Sequence, residues 1–318
     1  MASKGEFGLI DFIRRHFSVP DGVIGIGDDC AILPSSEGEL LFSTDLLMEG
    51  VHFLRNESSP EDVGWKAAAV NLSDIAAMGG IPVATFLSIG LPKDAQGEWA
   101  ERFIKGYEEI SKIYDVPLLG GDTTSSLRDI AINVGVLGRC AAGQSLKRNQ
   151  AKVGEAIYVT GPLGDSAGGL QAILQGITRT PDVEELIKRH KRPIPRVNEG
   201  QMLKDSGAIG AMMDISDGIA SDLRHIMKAS GVGAVGELDR LPCSPELLSV
   251  CKEQGWDRYE LATSGGEDFE LLFTAPVGFE NGVNIPVYPV GKIVPGNDLT
   301  WLKNNEQVNK DFSGCKHF

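Results

Sequence analysis

The sequence predicts an α/β or α+β chain built in two halves, and three observations carry that reading. Helix-period and strand-type segments mix along the whole length. A polar stretch, 141–153, interrupts them near the middle, and the apolar run 155–160 begins a fresh strand after it. The 318 residues, 42% of them hydrophobic, suffice for one or two large cores. The boundary expected there divides the chain into 1–150 and 151–318.

Residues 7–17 (FGLIDFIRRHF) space their apolar side chains as a short amphipathic helix. Val23 and Ile24 lead into a Gly-Asp-Asp turn, and residues 40–43 read as a strand that ends at Thr44 and Asp45. Pro60, followed by Glu61 and Asp62, is a good helix start, because the first turn tolerates proline and favours acids. That helix runs to Met78 and stops at Gly79 and Gly80. Strand, helix and strand follow at 83–89, 99–113 and 116–119, the last running into Gly120, Gly121 and Asp122. Residues 130–137 form another strand. In the second half the strand 155–160 feeds a glycine-rich turn, 161–169, that opens a helix. The apolar run 209–213 ends at Asp214, before a helix reaching Ile226. Residues 271–274 form a strand, and a last one lies within 287–294, where Pro289 suggests an edge position or a start at Val290.

Charge and cysteine usage exclude several function classes. A net charge of −14 argues against a general nucleic-acid binder and against adhesion to anionic membranes. Five cysteines, with no C-x-x-C pair, suggest neither a disulfide framework nor a zinc knuckle and point to a reducing cytoplasm. No signal-peptide pattern opens the chain, and no apolar run approaches the ~20 residues that span a bilayer.

The chemistry is concentrated in aspartates. Asp28 and Asp29 follow a Gly-x-Gly turn, and adjacent like charges near a core call for a compensating cation. A hard cation such as Mg2+ next to a phosphate fits an oxygen-rich, glycine-flanked site; a surface turn is the plainer alternative. Asp74 lies near the C-terminal end of an apolar helix, where the dipole disfavours a carboxylate unless a cation is close. Asp45, Asp122 and Asp214 each follow an expected strand, with Ser43 and Thr44 offering further oxygens. Ser216 or Asp217 serves equally well as a cap for the helix that follows. The glycines at 120–121 and 161–169 offer backbone N–H groups to an anion, although the second stretch lacks the Walker pattern and tight helix packing explains it as well. Arg148 is a planar donor for a phosphate. The basic run 188–196 offers charges to a phosphate, but a solvated, proline-stiffened helix end is the plainer reading.

Taken together, these residues resemble the thiamine-monophosphate kinase family, of the superfamily that includes aminoimidazole ribonucleotide synthetase. The most specific blocks are GIGDDCA (25–31), STD (43–45), NLSDIAAMG (71–79), GGDTT (120–124), YVTGPLGDSAGGL (158–170), RHKRPIPR (189–196), DISDG (214–218) and SGGEDFEL (264–271). The resemblance implies a two-domain PurM-like fold, with an N-terminal mixed-sheet domain that pairs in a homodimer barrel and a C-terminal α/β domain covering the site. It implies that Asp29, Ser43, Thr44, Asp45, Asp74, Asp122, Asp214 and Asp217 hold several Mg2+ ions. It places ATP near Tyr107, Gly121, Asp122, Arg148 and Ser216, and thiamine monophosphate against His52 and Glu267. One departure is Cys315, which stands where the family carries an aromatic that stacks on the substrate.

The activity expected is transfer of the γ-phosphoryl group of ATP to the phosphate of thiamine monophosphate. A phosphate monoester is already largely ionised at neutral pH, so no general base is needed, and none is visible in the five histidines. The rivals are a selenophosphate synthetase-like enzyme, a hydrogenase maturation-like enzyme, and a non-catalytic metal and nucleotide sensor.

Overall fold

The computed structural model describes residues 20–310 and 312. The helix expected at 7–17, Cys315 and the C-terminal His317 and Phe318 lie outside the described residues.

The first half opens with an antiparallel hairpin of β1 (Ala31–Ser35) and β2 (Gly38–Met48). Then come α1 (Pro60–Ala77), β3 (Ile81–Leu91), α2 (Glu98–Tyr114), β4 (Leu118–Ser125) and β5 (Ala131–Cys140). The five strands lie in the order β1-β2-β5-β3-β4, and only β3 and β4 are parallel. Strand β2 continues past the expected stop at Thr44, because its whole length pairs with β5. Asp45 therefore sits inside a strand and not beyond its end, and so does Asp122 in β4.

The second half comprises β6 (Ala156–Val159), α3 (Asp165–Gln175), α4 (Pro181–Lys191), α5 (Val197–Asp205), β7 (Met212–Asp214), α6 (Ile219–Ser230) and β8 (Gly233–Glu237). It continues with α7 (Pro245–Gln254), α8 (Arg258–Ser264), β9 (Leu271–Ala275), β10 (Tyr288–Val294), β11 (Leu299–Lys303) and β12 (Glu306–Gln307). The seven strands are ordered β12-β11-β8-β10-β6-β9-β7. Every residue of β6 and β9 is buried, as expected of strands covered on both faces. Pro289 is not on a sheet edge: β10 lies between β8 and β6. A bulge between Pro289 and Gly291 accommodates it, and pairing with β8 begins only at Gly291.

Helix α1 is the hinge of the architecture. Ser59 caps it, its Oγ accepting from the Asp62 N–H at 3.2 Å, with Pro60 in the first turn. All but three of its eighteen residues are buried, so it is packed on all sides instead of along one stripe. One core joins Leu41, Ile75, Phe103 and Ile132 of the first half to Tyr158, Leu203 and Phe273 of the second. A second core, with Val159, Met213, Leu272 and Trp301, fills the other side of the seven-stranded sheet.

The basic run 188–196 is not a solvated helix end. Arg192 pairs with Asp62 at 2.6 Å and with Glu109 at 2.9 Å, and Arg196 pairs with Glu270 at 2.8 Å. The Trp65 indole donates to the Pro193 carbonyl at 2.7 Å. Lys188 stays exposed beside Glu185, but the rest of the segment is the seam between the halves, where Arg192 and Arg196 are matched by acids far away in sequence.

Candidate active site

A cleft of about 1170 Å³ runs between the two halves. Its walls include Asp45, His52, Lys66 and Asp74 from the first half and Asp214, Ser216, Asp217 and Glu267 from the second.

Four elements bring the aspartates to one end of it. The Gly-Asp-Asp turn before β1 supplies Asp29, α1 supplies Asp74 and the end of β7 supplies Asp214; carboxylate oxygens of these three lie within 4.8 Å of one another. Ser43 and Asp45 fall at two-residue spacing between the buried Leu41 and Leu47 of β2, so all four share the face turned toward α1. The Ser43 hydroxyl donates to Asp74 Oδ2, and the Ser73 hydroxyl donates to Asp214 Oδ2 at 2.6 Å. The Asp45 N–H donates to Asn71 Oδ1 at 3.2 Å.

Electrostatics marks the group as unfinished without a cation. Burial, then the Asp45, Asp214 and Asp29 charges, push the Asp74 carboxyl far above the usual carboxylate range. Burial and Asp29 raise Asp45 to about 6 and Asp214 to about 7. Arg148 offsets part of this charge: its Nη2 lies 2.6 Å from Asp29 Oδ1, and its backbone N–H donates to Asp28 Oδ1 at 3.2 Å. An all-oxygen set that repels itself this strongly fits a hard divalent ion.

The structure does not gather every expected residue. The Thr44 hydroxyl is turned to the opposite face of β2, where it accepts from Asn133 Nδ2 at 2.8 Å, so only its carbonyl is a candidate ligand. Asp122 stands on β4, exposed, in register with the exposed Ser88 and apart from the carboxylate group under α1. Gly121 precedes it with φ 146°, and a Cβ there would meet the Leu87 carbonyl oxygen at 1.7 Å, so close β3–β4 pairing already requires the glycine. Tyr107 is a core residue, 2% exposed, with its ring 6.2 Å from that of Phe103.

Neither Ser216 nor Asp217 caps α6, whose N-cap is Gly218. Ser216 instead accepts the Glu267 N–H on its carbonyl at 2.8 Å, and the Asp217 N–H donates to Asp222 Oδ2 at 3.3 Å. The glycine-rich stretch 161–169 is not an open anion site. Asp268 already occupies the α3 N-terminus, accepting from the Gly164 N–H at 2.7 Å and the Ser166 N–H at 3.2 Å. Packing explains the glycines, since a Cβ at Gly169 would meet the Leu186 carbonyl oxygen at 2.3 Å.

Sequence reasoning missed Lys66, Ser73, His190 and Asp222. The first two become anomalies only once α1 is known to be buried on all sides, since a lysine or serine on a solvated helix face is ordinary. His190 and Asp222 carried no such signal.

Residues 27–140 match the N-terminal domain of AIR synthase related proteins, and residues 152–300 match the C-terminal domain. Fold and site thus define the class: a two-domain AIR synthase related protein, with mixed sheets and a carboxylate-lined cleft between the halves. Within that class, the thiamine-monophosphate kinase of Salmonella typhimurium is 41% identical to this chain, over 99% of the chain and 98% of that protein. A solved structure of AaThiL complexed with AMPPCP and TMP superposes with a TM-score of 0.90 at 36% identity, covering 100% of this chain and 98% of that one. The hydrogenase maturation protein HypE of E. coli shares the fold alone, at 17% identity and a TM-score of 0.70, over 87% of each chain. The chain belongs to the thiamine-monophosphate kinase family.

Proposed function

We propose that this protein transfers the γ-phosphoryl group of ATP to thiamine monophosphate, giving thiamine diphosphate and ADP. The observation that carries the reading is the convergence of Asp29, Asp74 and Asp214 at a cleft that also holds His52 and Glu267. We assign Asp29, Asp74 and Asp214, with Ser43, Asp45, Asp217 and the Thr44 carbonyl, to the binding of Mg2+. Bound there, Mg2+ supplies the neutralisation that lets two polyanions approach. Arg148 and Ser216 are assigned to the nucleotide, together with Gly121 and Asp122 on exposed β4; Tyr107 is left out because its ring is in the core. His52 and Glu267 are assigned to thiamine monophosphate, the Glu267 carboxylate facing the fixed cation of the thiazolium ring.

No side chain is required as a base, because the acceptor phosphate oxygen is already anionic. Cys30 does not favour a selenophosphate synthetase-like chemistry. Its thiol is 1% exposed and donates to the Asp74 carbonyl at 3.6 Å. Burial, with Asp74 and Asp29 beside it, raises its pKa well above the usual thiol range, away from the reactive thiolate.

The finer parts of the reading are a division near residue 150, a cytoplasmic setting and a homodimer. The proposal of a dimer rests on the outer face of the five-stranded sheet, where Phe42 and Leu46 of β2 and Phe86 of β3 are exposed on either side of β5. Among the described residues no helix is long and apolar enough to cross a membrane. The decisive experiment measures ADP release from ATP and Mg2+ with and without thiamine monophosphate. Release that depends on thiamine monophosphate, with formation of its diphosphate and no label retained on the protein from γ-labelled ATP, is expected. ADP release indifferent to thiamine monophosphate, or a trapped phosphoprotein, overturns the reading.

A further inference from the structure

Lys66 lies on α1 and is 3% exposed, preceded by Val63, Gly64 and Trp65 and followed by three alanines and Val70. A lone buried ammonium is costly, so its partners define its purpose. Its Nζ donates to the His52 carbonyl oxygen at 3.1 Å and to Glu267 Oε2 at 2.8 Å. These two residues, from opposite halves of the molecule, are the pair assigned above to thiamine monophosphate. One ammonium therefore pins both sides of that end of the cleft.

Glu267 is held in an unusual state. Its φ is 64°, a left-handed conformation that a glutamate adopts only when its surroundings impose it. Its N–H is tied to the Ser216 carbonyl, and Oε2 takes the Lys66 contact and lies 3.4 Å from His190 Nδ1. Oε1 makes neither contact, and the side chain is 26% exposed in the wall of the cleft. The charged and titratable groups facing this carboxylate are Lys66 from α1, His190 from α4 and His52 from the segment after β2. His190 contacts Ser166 Oγ at 3.0 Å, and burial holds its pKa down to about 3, leaving it a neutral ring at working pH. Lys66 is thus the cation paired directly with Glu267.

We propose that Lys66 is a positioning residue for the cationic ring of the substrate: it anchors one oxygen of Glu267, keeps the carboxylate ionised, and leaves the other oxygen for the ring. The inference rests on the reading that Glu267 receives the thiazolium cation. A purely structural ion pair explains the burial but not why a single ammonium should contact both substrate residues, nor why its partner is held in a strained backbone conformation at the cleft wall. Because Glu267 is also bonded to Ser216, the same contact ties the ring's pocket to the loop that carries Asp217.

The test is steady-state kinetics of the full chain with ATP, Mg2+ and thiamine monophosphate. Lys66→Met is expected to raise KM for thiamine monophosphate about tenfold or more while KM for ATP changes less than about twofold. In that variant the substrate KM also climbs as pH falls from about 8 to 6, because a desolvated Glu267 without its ammonium holds a proton to higher pH. Lys66→Arg restores most of the loss. Equal changes in both KM values, or a pH profile parallel to that of the unaltered protein, overturn the proposal. Should Lys66→Met not fold, the double variant Lys66→Met/Glu267→Gln removes both charges together and is compared with Glu267→Gln alone. A substrate KM within about twofold of that single variant supports action through Glu267, and a further rise of about fivefold overturns it. If the unaltered protein does not turn over thiamine monophosphate at all, the reading of the reaction fails separately. Equilibrium binding of thiamine monophosphate to the same variants then decides the role of Lys66.

Discussion

At the residue scale, Asp74 shows how position turns a side chain into a functional group. A carboxylate in the last turn of a helix meets the negative end of the dipole, and here three other carboxylates lie around it. Nothing in local sequence rewards that placement; a cation in the cleft does. Asp74→Asn keeps the size and the Ser43 contact but removes the charge, so kcat/KM for phosphoryl transfer is expected to fall about a hundredfold or more. A variant retaining more than about a tenth of the activity would take Asp74 out of the metal set. The aspartates of this site were legible in the sequence because a carboxylate after a glycine turn, or late in an apolar helix, is out of place. Lys66 was passed over because lysine in a helix is ordinarily solvated, and only the burial of α1 on every side makes it an anomaly.

At the scale of elements, the site depends on how closely α1 can approach its neighbours. Gly64 of α1 and Gly106 of α2 form the crossing between these helices. A Cβ on Gly106 would meet the Glu61 carbonyl oxygen at 1.9 Å, and one on Gly64 would meet the Phe103 carbonyl oxygen at 2.0 Å. Two effects oppose each other in Gly106→Ala. Helix propensity favours alanine by about 1 kcal/mol, while forcing backbone apart costs about 3 kcal/mol. The steric effect wins, and a net loss of about 2 kcal/mol is expected as a lower denaturation midpoint. A midpoint unchanged or raised would show that the helices separate freely. Element type was readable along most of the chain: α1 begins and ends where Pro60 and the glycine pair say, and α2 covers the span 99–113 expected of it. Strand ends were less readable. The reach of β2 to Met48 is decided by β5, its partner ninety residues later, and the place of Pro289 by a bulge that only pairing reveals.

At the scale of the whole molecule, a carboxylate group drawn from both halves makes stability depend jointly on pH and divalent metal. In the metal-free protein Asp45 and Asp214 have folded-state pKa values of about 6 and 7, above the unfolded carboxylate value. The folded state therefore binds more protons than the unfolded state between about pH 4 and 7. Their contribution is fully present below the unfolded pKa and is lost as pH rises through the folded one, at up to about 1.4 kcal/mol per pH unit for each differentially bound proton. With chelator present, the cluster is expected to lower Tm as pH rises from 5 to 8. Added Mg2+ raises Tm at pH 8 much more than at pH 5, by mass action on the folded state alone. Thermal melts at the two pH values, with and without Mg2+, check this, and a Mg2+ effect equal at both would sink it.

The sequence by itself determined the mixed α/β class, the order of most helices and strands, the family blocks and the aspartates worth watching, because glycine turns, helix caps and misplaced charges are local signals. Tertiary structure alone decided which of them meet. It set Asp122 on an exposed edge strand, put Tyr107 in the core, filled the α3 N-terminus with Asp268, and joined Lys66 to a glutamate two hundred residues away. Those outcomes depend on strand pairing and on the burial of α1 between the two halves, and distance in space is a property no local pattern encodes.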